Sequence, residues 1–231
     1  MPGRPPEVDP TRDELYYEID KASSLVAAIR ALPVQVNPNA PAGIHPKHQL
    51  QVVELAFMAM VASWEEFLER ALVRYVAGAK AKNGYAPTPK FGQANNIAHA
   101  YALLSGNSNY DPLKHYLKVT DTKWVKNNAD YFFRQHQFSV PHAQTVLLEH
   151  ATSIRNRVAH SSEKCRADFK ATALAFLQPP NGKLTKGYMP GNLLLAPVTQ
   201  LFPHAFKQGN HNHFAAYAEL YKNMALAIVP K

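Results

Sequence analysis

Residues 142–178 read HAQTVLLEHATSIRNRVAHSSEKCRADFKATALAFLQ, a stretch with neither proline nor glycine. Leu147, Ala151, Ile154, Val158, Cys165, Phe169 and Phe176 recur along it at three-, four- and seven-residue steps. That spacing is one face of an α-helix, not the alternation of a strand. Thr172 is the one polar residue on the same line. The pattern predicts a single helix, the longest the chain can form, stopped by Pro179-Pro180.

Outward from this stretch, helical periods continue to dominate. Residues 47–77 also lack proline and glycine, and Val53, Phe57, Met60, Trp64, Phe67, Leu68, Ala71 and Tyr75 line one face until Gly78. Thr11 and Glu14 have the spacing of a capping box, which predicts an earlier helix from Thr11 carrying Leu15, Ile19, Val26 and Ile29, ended by Pro33. Four prolines make residues 33–46 a linker. Shorter helices are expected at 94–104, at 112–119 after Asp111-Pro112, and at 122–136, with a last one from about Asn212 to Ile228. Residues 179–210 read as loop; their Lys183, Lys186, Tyr188, Phe202 and Phe206 suit RNA contact as well as packing over the core. No repeat and no strand set emerges. The expected fold is all-α, an irregular helical bundle with a long loop before the last helix. One domain is expected over 1–231, with 1–10 disordered.

Composition narrows the setting. Apolar residues make up 46% of the chain, enough for a core in one globular domain. The proline-free uncharged run Leu55–Trp64 is too short to span a bilayer, and Pro190, Pro197 and Pro203 interrupt the longer uncharged run 187–206. Met1 to Pro10 is polar and proline-rich, unlike a signal peptide, and the single cysteine, Cys165, suits a reducing compartment. A cytoplasmic protein without membrane contact is expected. The net charge of +8 is unevenly placed: residues 71–231 carry 19 Lys/Arg against 7 acids, whereas residues 1–70 are acidic. Such a field favours a polyanion, most simply nucleic acid, although basic proteins also gain solubility from it.

The basic portion contains Arg155-Asn156-Arg157-Val158-Ala159-His160. Arginine grips phosphate through a planar fork, and histidine moves protons near neutral pH. On a continuous helix Asn156 and His160 share a face averted from the apolar stripe, while Arg155 lies roughly 140° from His160. Either the arginine curls toward the histidine, or two copies of the helix pack across a two-fold axis and pool both residue types in one cleft. The plainer reading makes Arg155 and Arg157 surface charges that pair with Glu149, Glu163 or Asp168.

This hexad, on a long helix of an all-helical chain, resembles the signature of the HEPN superfamily: arginine, a polar residue that is often asparagine, a few residues, then histidine. Ser63-Trp64-Glu65-Glu66-Phe67-Leu68 resembles the matching helix of bacterial HEPN proteins of the RiboL-PSP-HEPN type. The resemblance spans residues 48–176 and leaves 179–231 outside it. It implies a metal-independent endoribonuclease whose dimer sets two motifs face to face. The RNA's own 2′-hydroxyl attacks, leaving a 2′,3′-cyclic phosphate and a 5′-hydroxyl. By this resemblance His160 is the general base or acid, Arg155 stabilises the charge growing on phosphorus, and Asn156 orients the histidine or binds a phosphate oxygen. A role as toxin or anti-phage effector follows, with RNA as substrate and an antitoxin or defence protein as partner. The alternative within the same resemblance is a non-catalytic module that binds RNA or a partner. Some HEPN proteins carry a modified tyrosine two residues after the histidine; Ser161 and Ser162 stand here instead, so that form of regulation is not expected.

Other chemistry finds less support. His45 and His48 flank Pro46 without an accompanying cysteine or acid, and His211 and His213 are close neighbours; all read as solvated side chains, so neither metal nor cofactor is expected. No glycine-rich phosphate loop is present. Cys165, Phe57, Trp64 and Phe67 read as core, and Glu65 and Glu66 as surface or interface charges.

Overall fold

A computed structural model describes residues 5–35, 43–198, 201–202 and 211–231. Among the described residues the chain is all-α apart from one short ribbon. The helices are α1 (Asp9–Ala31), α2 (Pro46–Val76), α3 (Ile97–Ser105), α4 (Thr122–Phe132), α5 (His142–Ala159), α6 (Glu163–Leu177), α7 (Pro190–Leu195) and α8 (His213–Ile228). Strands β1 (Thr88–Pro89) and β2 (Phe133–Gln135) pair antiparallel, Thr88 opposite Gln135 and Pro89 opposite Phe133. No helix among the described residues is long and apolar enough to cross a membrane.

The largest departure from the sequence reading lies in the stretch that opened it. Residues 142–178 form two helices, not one, and the longest helix is α2. α5 stops after Ala159, and Ser162 caps α6 by accepting the Cys165 N–H at 3.3 Å. Serine competes for backbone hydrogen bonds inside a helix but satisfies an orphan donor at its start, and Glu163 follows as the acidic first residue. The apolar stripe crosses the break because both helices bury one face; Cys165 beside the break is only half-buried.

Other boundaries also shift. Thr11 lies inside α1, its hydroxyl donating to Val8 O at 2.6 Å, and α1 begins at Asp9. Val8 and Asp9 are buried, so the expected disorder does not extend through residues 5–10; residues 1–4 lie outside the described set. Residues 112–119 make turns and no helix: the Asp111 carboxylate takes the Leu113 N–H and Asp111 O takes those of Lys114 and His115. The expected 122–136 helix ends at Phe132 and continues as β2. Within the loop expected at 179–210, Pro190 starts α7 and Phe202 is buried in the core. Lys183 and Lys186 are exposed, and Tyr188 is half-buried, its hydroxyl pushed up to about 12 by that burial. Phe206, much of the 33–46 linker, and 199–200 and 203–210 of the expected loop lie outside the described residues. The linker's described ends pair through Gln35 N–H to Ile44 O and Ile44 N–H to Pro33 O.

The contacts divide the chain into two compact units. The first comprises 1–17, 63–141 and 221–231. Trp64 stacks on Phe67 and on Tyr221 there, with centroids 5.4 and 5.2 Å apart. Buried Arg12 donates to Val229 O at 2.9 Å and pairs with Asp13 at 2.8 Å. Burial drives the Tyr75 hydroxyl pKa far upward; its O–H donates to Ile228 O. The second unit comprises 18–62 and 142–220. Its centre is Tyr217, ringed edge-on by Phe57, Phe176 and Phe202, with its hydroxyl donating to Leu147 O at 3.0 Å. His213, expected in solvent, is fully buried and lies edge-on to Phe176; its ring Nδ1–H donates to Leu193 O at 2.9 Å. Trp64, Phe67 and Phe57 are core, as read from the sequence.

Candidate functional site

α5 carries the hexad in the second unit. Leu147, Leu148, Ala151 and Ile154 anchor the helix by burial, which turns the hexad's polar groups outward. Arg155, Asn156 and Arg157 are half-buried, and His160 is exposed. Arg155 Nη1 donates to Asn156 Oδ1 at 3.0 Å. This bond turns the Asn156 oxygen to the arginine and leaves its amide nitrogen as the donor that can serve a phosphate oxygen. The structure thus joins Arg155 to Asn156.

His160 follows the last residue of α5, not the middle of a helix as the sequence suggested. Its N–H still reaches Asn156 O at 2.9 Å, closing the final turn. Its carbonyl accepts from Arg157 Nη1 at 3.2 Å. The backbone of His160 is held from two sides while its ring stands in solvent, and no hydrogen bond joins that ring to Arg155 or Asn156 among the described residues. The 140° separation of a continuous helix no longer applies to a residue past the helix end.

Of the surface acids expected beside Arg155 and Arg157, one is engaged elsewhere. Asp168 is taken by Lys164 at 2.7 Å, four residues away on α6. Arg157 turns instead to the His160 carbonyl and to the field of Glu54 on α2. The sequence reading missed Glu54. It is buried, and its Oε1 accepts the Gly191 N–H of α7 at 2.9 Å. Burial raises its carboxyl pKa; the Gly191 hydrogen bond and the Arg157 charge oppose that rise. The signal was present as a lone acid in the apolar run Val52-Val53-Glu54-Leu55-Ala56-Phe57. Gly191 is needed for this contact, because a Cβ there would meet Leu50 Cβ and Leu50 O at 2.8 Å.

Near the hexad on the same helix, His150 Nδ1 lies 3.0 Å from the hydroxyl of Thr172, the polar residue of the apolar stripe. Burial lowers the His150 pKa, and Glu149 works weakly against that. Among the described residues no group of three or more His, Cys, Asp or Glu could hold a metal ion; His45 and His48 are exposed. No protein family matches the chain, and neither a curated protein nor a solved structure shows significant similarity to it.

Proposed function

We propose that the chain is a metal-independent endoribonuclease of the HEPN kind, with His160, Arg155 and Asn156 as its working groups in a site completed by a second copy. The observation that carries this reading is the disposition of the hexad at the end of α5. A solvent-facing imidazole sits on a clamped backbone, one turn from an arginine–asparagine pair whose donors are oriented by their own hydrogen bond. Fixed cations and donors aimed at developing charge supply the larger part of phosphodiester catalysis. A positioned histidine adds typically about 10²–10⁴-fold.

In this mechanism the histidine takes the proton of the RNA 2′-hydroxyl or returns one to the leaving 5′-oxygen. Arg155 faces the phosphorane oxygens, and the Asn156 amide binds one of them. A single histidine cannot be base and acid at once, so the two-fold pair supplies the second. The excess of basic residues over 71–231 draws the strand in. An antitoxin or defence protein would restrain the activity in the cell.

The test is direct. Purified protein is incubated with RNA in EDTA, and the product ends are identified. Cleavage that survives chelation and leaves 2′,3′-cyclic phosphate and 5′-hydroxyl ends is expected, with His160→Ala slower by about 10²–10⁴-fold. Cleavage lost on chelation, 3′-hydroxyl ends, or an unaffected His160→Ala protein would overturn the assignment. Binding without turnover would place the chain among non-catalytic modules.

A further inference from the structure

The first unit has a surface that neither the hexad nor the core explains. Phe91 and Tyr131 are 59% and 62% exposed, and their rings lie side by side with centroids 5.4 Å apart. The backbone holds them together. Lys90 N–H bonds to Phe132 O at 2.8 Å beside the β1–β2 ribbon, so Phe91 and Tyr131 emerge from neighbouring strands of chain. Phe132 packs edge-on against Tyr131 from beneath, centroids 5.0 Å apart, and fixes its angle.

Cations lie near the two rings along the chain. Lys90, Lys126 and Arg134 are exposed, and the Lys90 ammonium donates to the backbone carbonyl of Asp130, the acid that precedes Tyr131. That acid is already occupied: Lys126 binds one carboxylate oxygen, and His136 Nε2 lies 2.9 Å from the other. These two hydrogen bonds, Lys126 first, hold the Asp130 carboxyl below its usual range. The Arg134 side chain makes no hydrogen bond among the described residues. Asp130, which precedes Tyr131 in the chain, and Arg134 also line a polar groove of about 450 Å³, together with Tyr85, Gln135, Gln137 and Ser139.

We infer that this ledge and groove bind a single-stranded nucleic acid, with successive bases stacked on Phe91 and Tyr131 and the backbone phosphates on Lys90, Lys126 and Arg134. Aromatic faces rimmed by cations are the recurring means of holding unpaired strands. The amides of Gln135 and Gln137 match base edges and would gain nothing from lipid chains, which favours a strand over an anionic membrane. A duplex keeps its base faces inside the stack and cannot use the rings. The inference concerns a different unit from the hexad and holds whether or not the hexad cleaves.

The experiment uses a fluorescein-labelled, unstructured 2′-O-methyl oligonucleotide, which self-attack cannot cut, and reads fluorescence anisotropy with the full chain. Phe91→Ser/Tyr131→Ser is expected to weaken binding about tenfold or more with the salt slope unchanged. Arg134→Ala is expected to weaken it less and to flatten the log–log salt slope by about 0.7. The changed side chains are exposed, so circular dichroism melting should match the unmodified chain. Equal binding by the double variant, equal affinity for a duplex, or no strand binding at low salt overturns the inference. So does capture by anionic vesicles that is lost in the double variant while strand binding persists. The two proposals separate in the variants: His160→Ala should slow cleavage by about 10²–10⁴-fold, while Phe91→Ser/Tyr131→Ser should weaken the binding read by anisotropy by the same factor whether or not His160 is present.

Discussion

Gly191→Ala tests a close helix–helix contact in the second unit. The new methyl would stand 2.8 Å from Leu50 Cβ and 2.8 Å from Leu50 O, with Leu50 Cα at 3.0 Å. Carbon–carbon contacts settle at about 3.5–4.0 Å, so α7 must withdraw from α2 by about 0.7–1.2 Å. Leu50 cannot yield, since two of the three atoms belong to its backbone in the middle of a turn of α2. The same withdrawal stretches the Gly191 N–H bond to Glu54 from 2.9 Å to beyond the length at which a hydrogen bond counts, about 3.5 Å.

Overpacking of this kind costs about 1–3 kcal/mol, and losing a hydrogen bond to a carboxylate about 1.5–3 kcal/mol. Alanine recovers about 0.5–1 kcal/mol over glycine inside a helix. The net loss is then about 2–5 kcal/mol, or a fall in Tm of ~4–20 °C for a chain of this size. Urea denaturation followed by circular dichroism, with calorimetry for Tm, measures it. Gly92→Ala is the control, because a Cβ there meets nothing within 4 Å; it should stay within about 0.5 kcal/mol. A Gly191→Ala protein as stable as the original would refute the close approach of α7 and with it the buried position of Glu54.

Two further predictions concern buried polar groups. Burial lowers the His213 pKa, so between the unfolded value of about 6.5 and the lower folded value only the unfolded chain takes the proton. Stability from this group is therefore complete above about pH 6.5 and is lost as pH falls below it, by at most about 1.4 kcal/mol per pH unit. His150 acts in the same direction, whereas the raised pKa of Glu54 acts in the opposite one. His213→Asn keeps a donor for Leu193 O and cannot titrate; urea midpoints at pH 8 and pH 5.5 should differ less in it than in the original, and equal differences would count against a buried neutral imidazole. The Ser153 hydroxyl is buried and bonds to nothing among the described residues. Ser153→Ala should raise stability by about 0.5–1.5 kcal/mol, and a drop in the denaturation midpoint would show that the hydroxyl has found a partner.

Periodicity made α2, α8 and the apolar anchor of α5 legible, because Trp64, Tyr217 and Ile154 each recur with neighbours on one buried stripe. The break between α5 and α6 was hidden by the same signal. Val158 and Cys165 stay in phase across it, and only Ser161-Ser162-Glu163 marks a cap. β1 and β2 are too short to show alternation. Glu54 escaped notice because one charge in an apolar run reads as a flank; only tertiary structure supplies the Gly191 N–H that makes burial tolerable. His213 was misread for the converse reason: polar neighbours suggested solvent, but the ring fills an aromatic core and finds a carbonyl. The exposure of Phe91 and Tyr131 could not be read at all, since aromatic residues are core until a fold leaves them outside.

The end of α5 at Ala159 also explains how one hexad can use two arginines. Inside a helix, every backbone carbonyl near His160 would be taken by the ladder. Past the last turn the His160 carbonyl needs a donor, and Arg157 supplies it. Arg157 thus works as a brace at the helix end. Arg155 turns a donor to the Asn156 side chain and not to the backbone, and on the proposed reading it is the arginine that meets the phosphate. On the proposed reading the two are not interchangeable. The brace fixes where the imidazole begins, and the freedom of a residue beyond the helix lets its ring swing toward a phosphate that a rigid helical position, roughly 140° from Arg155, would keep from it.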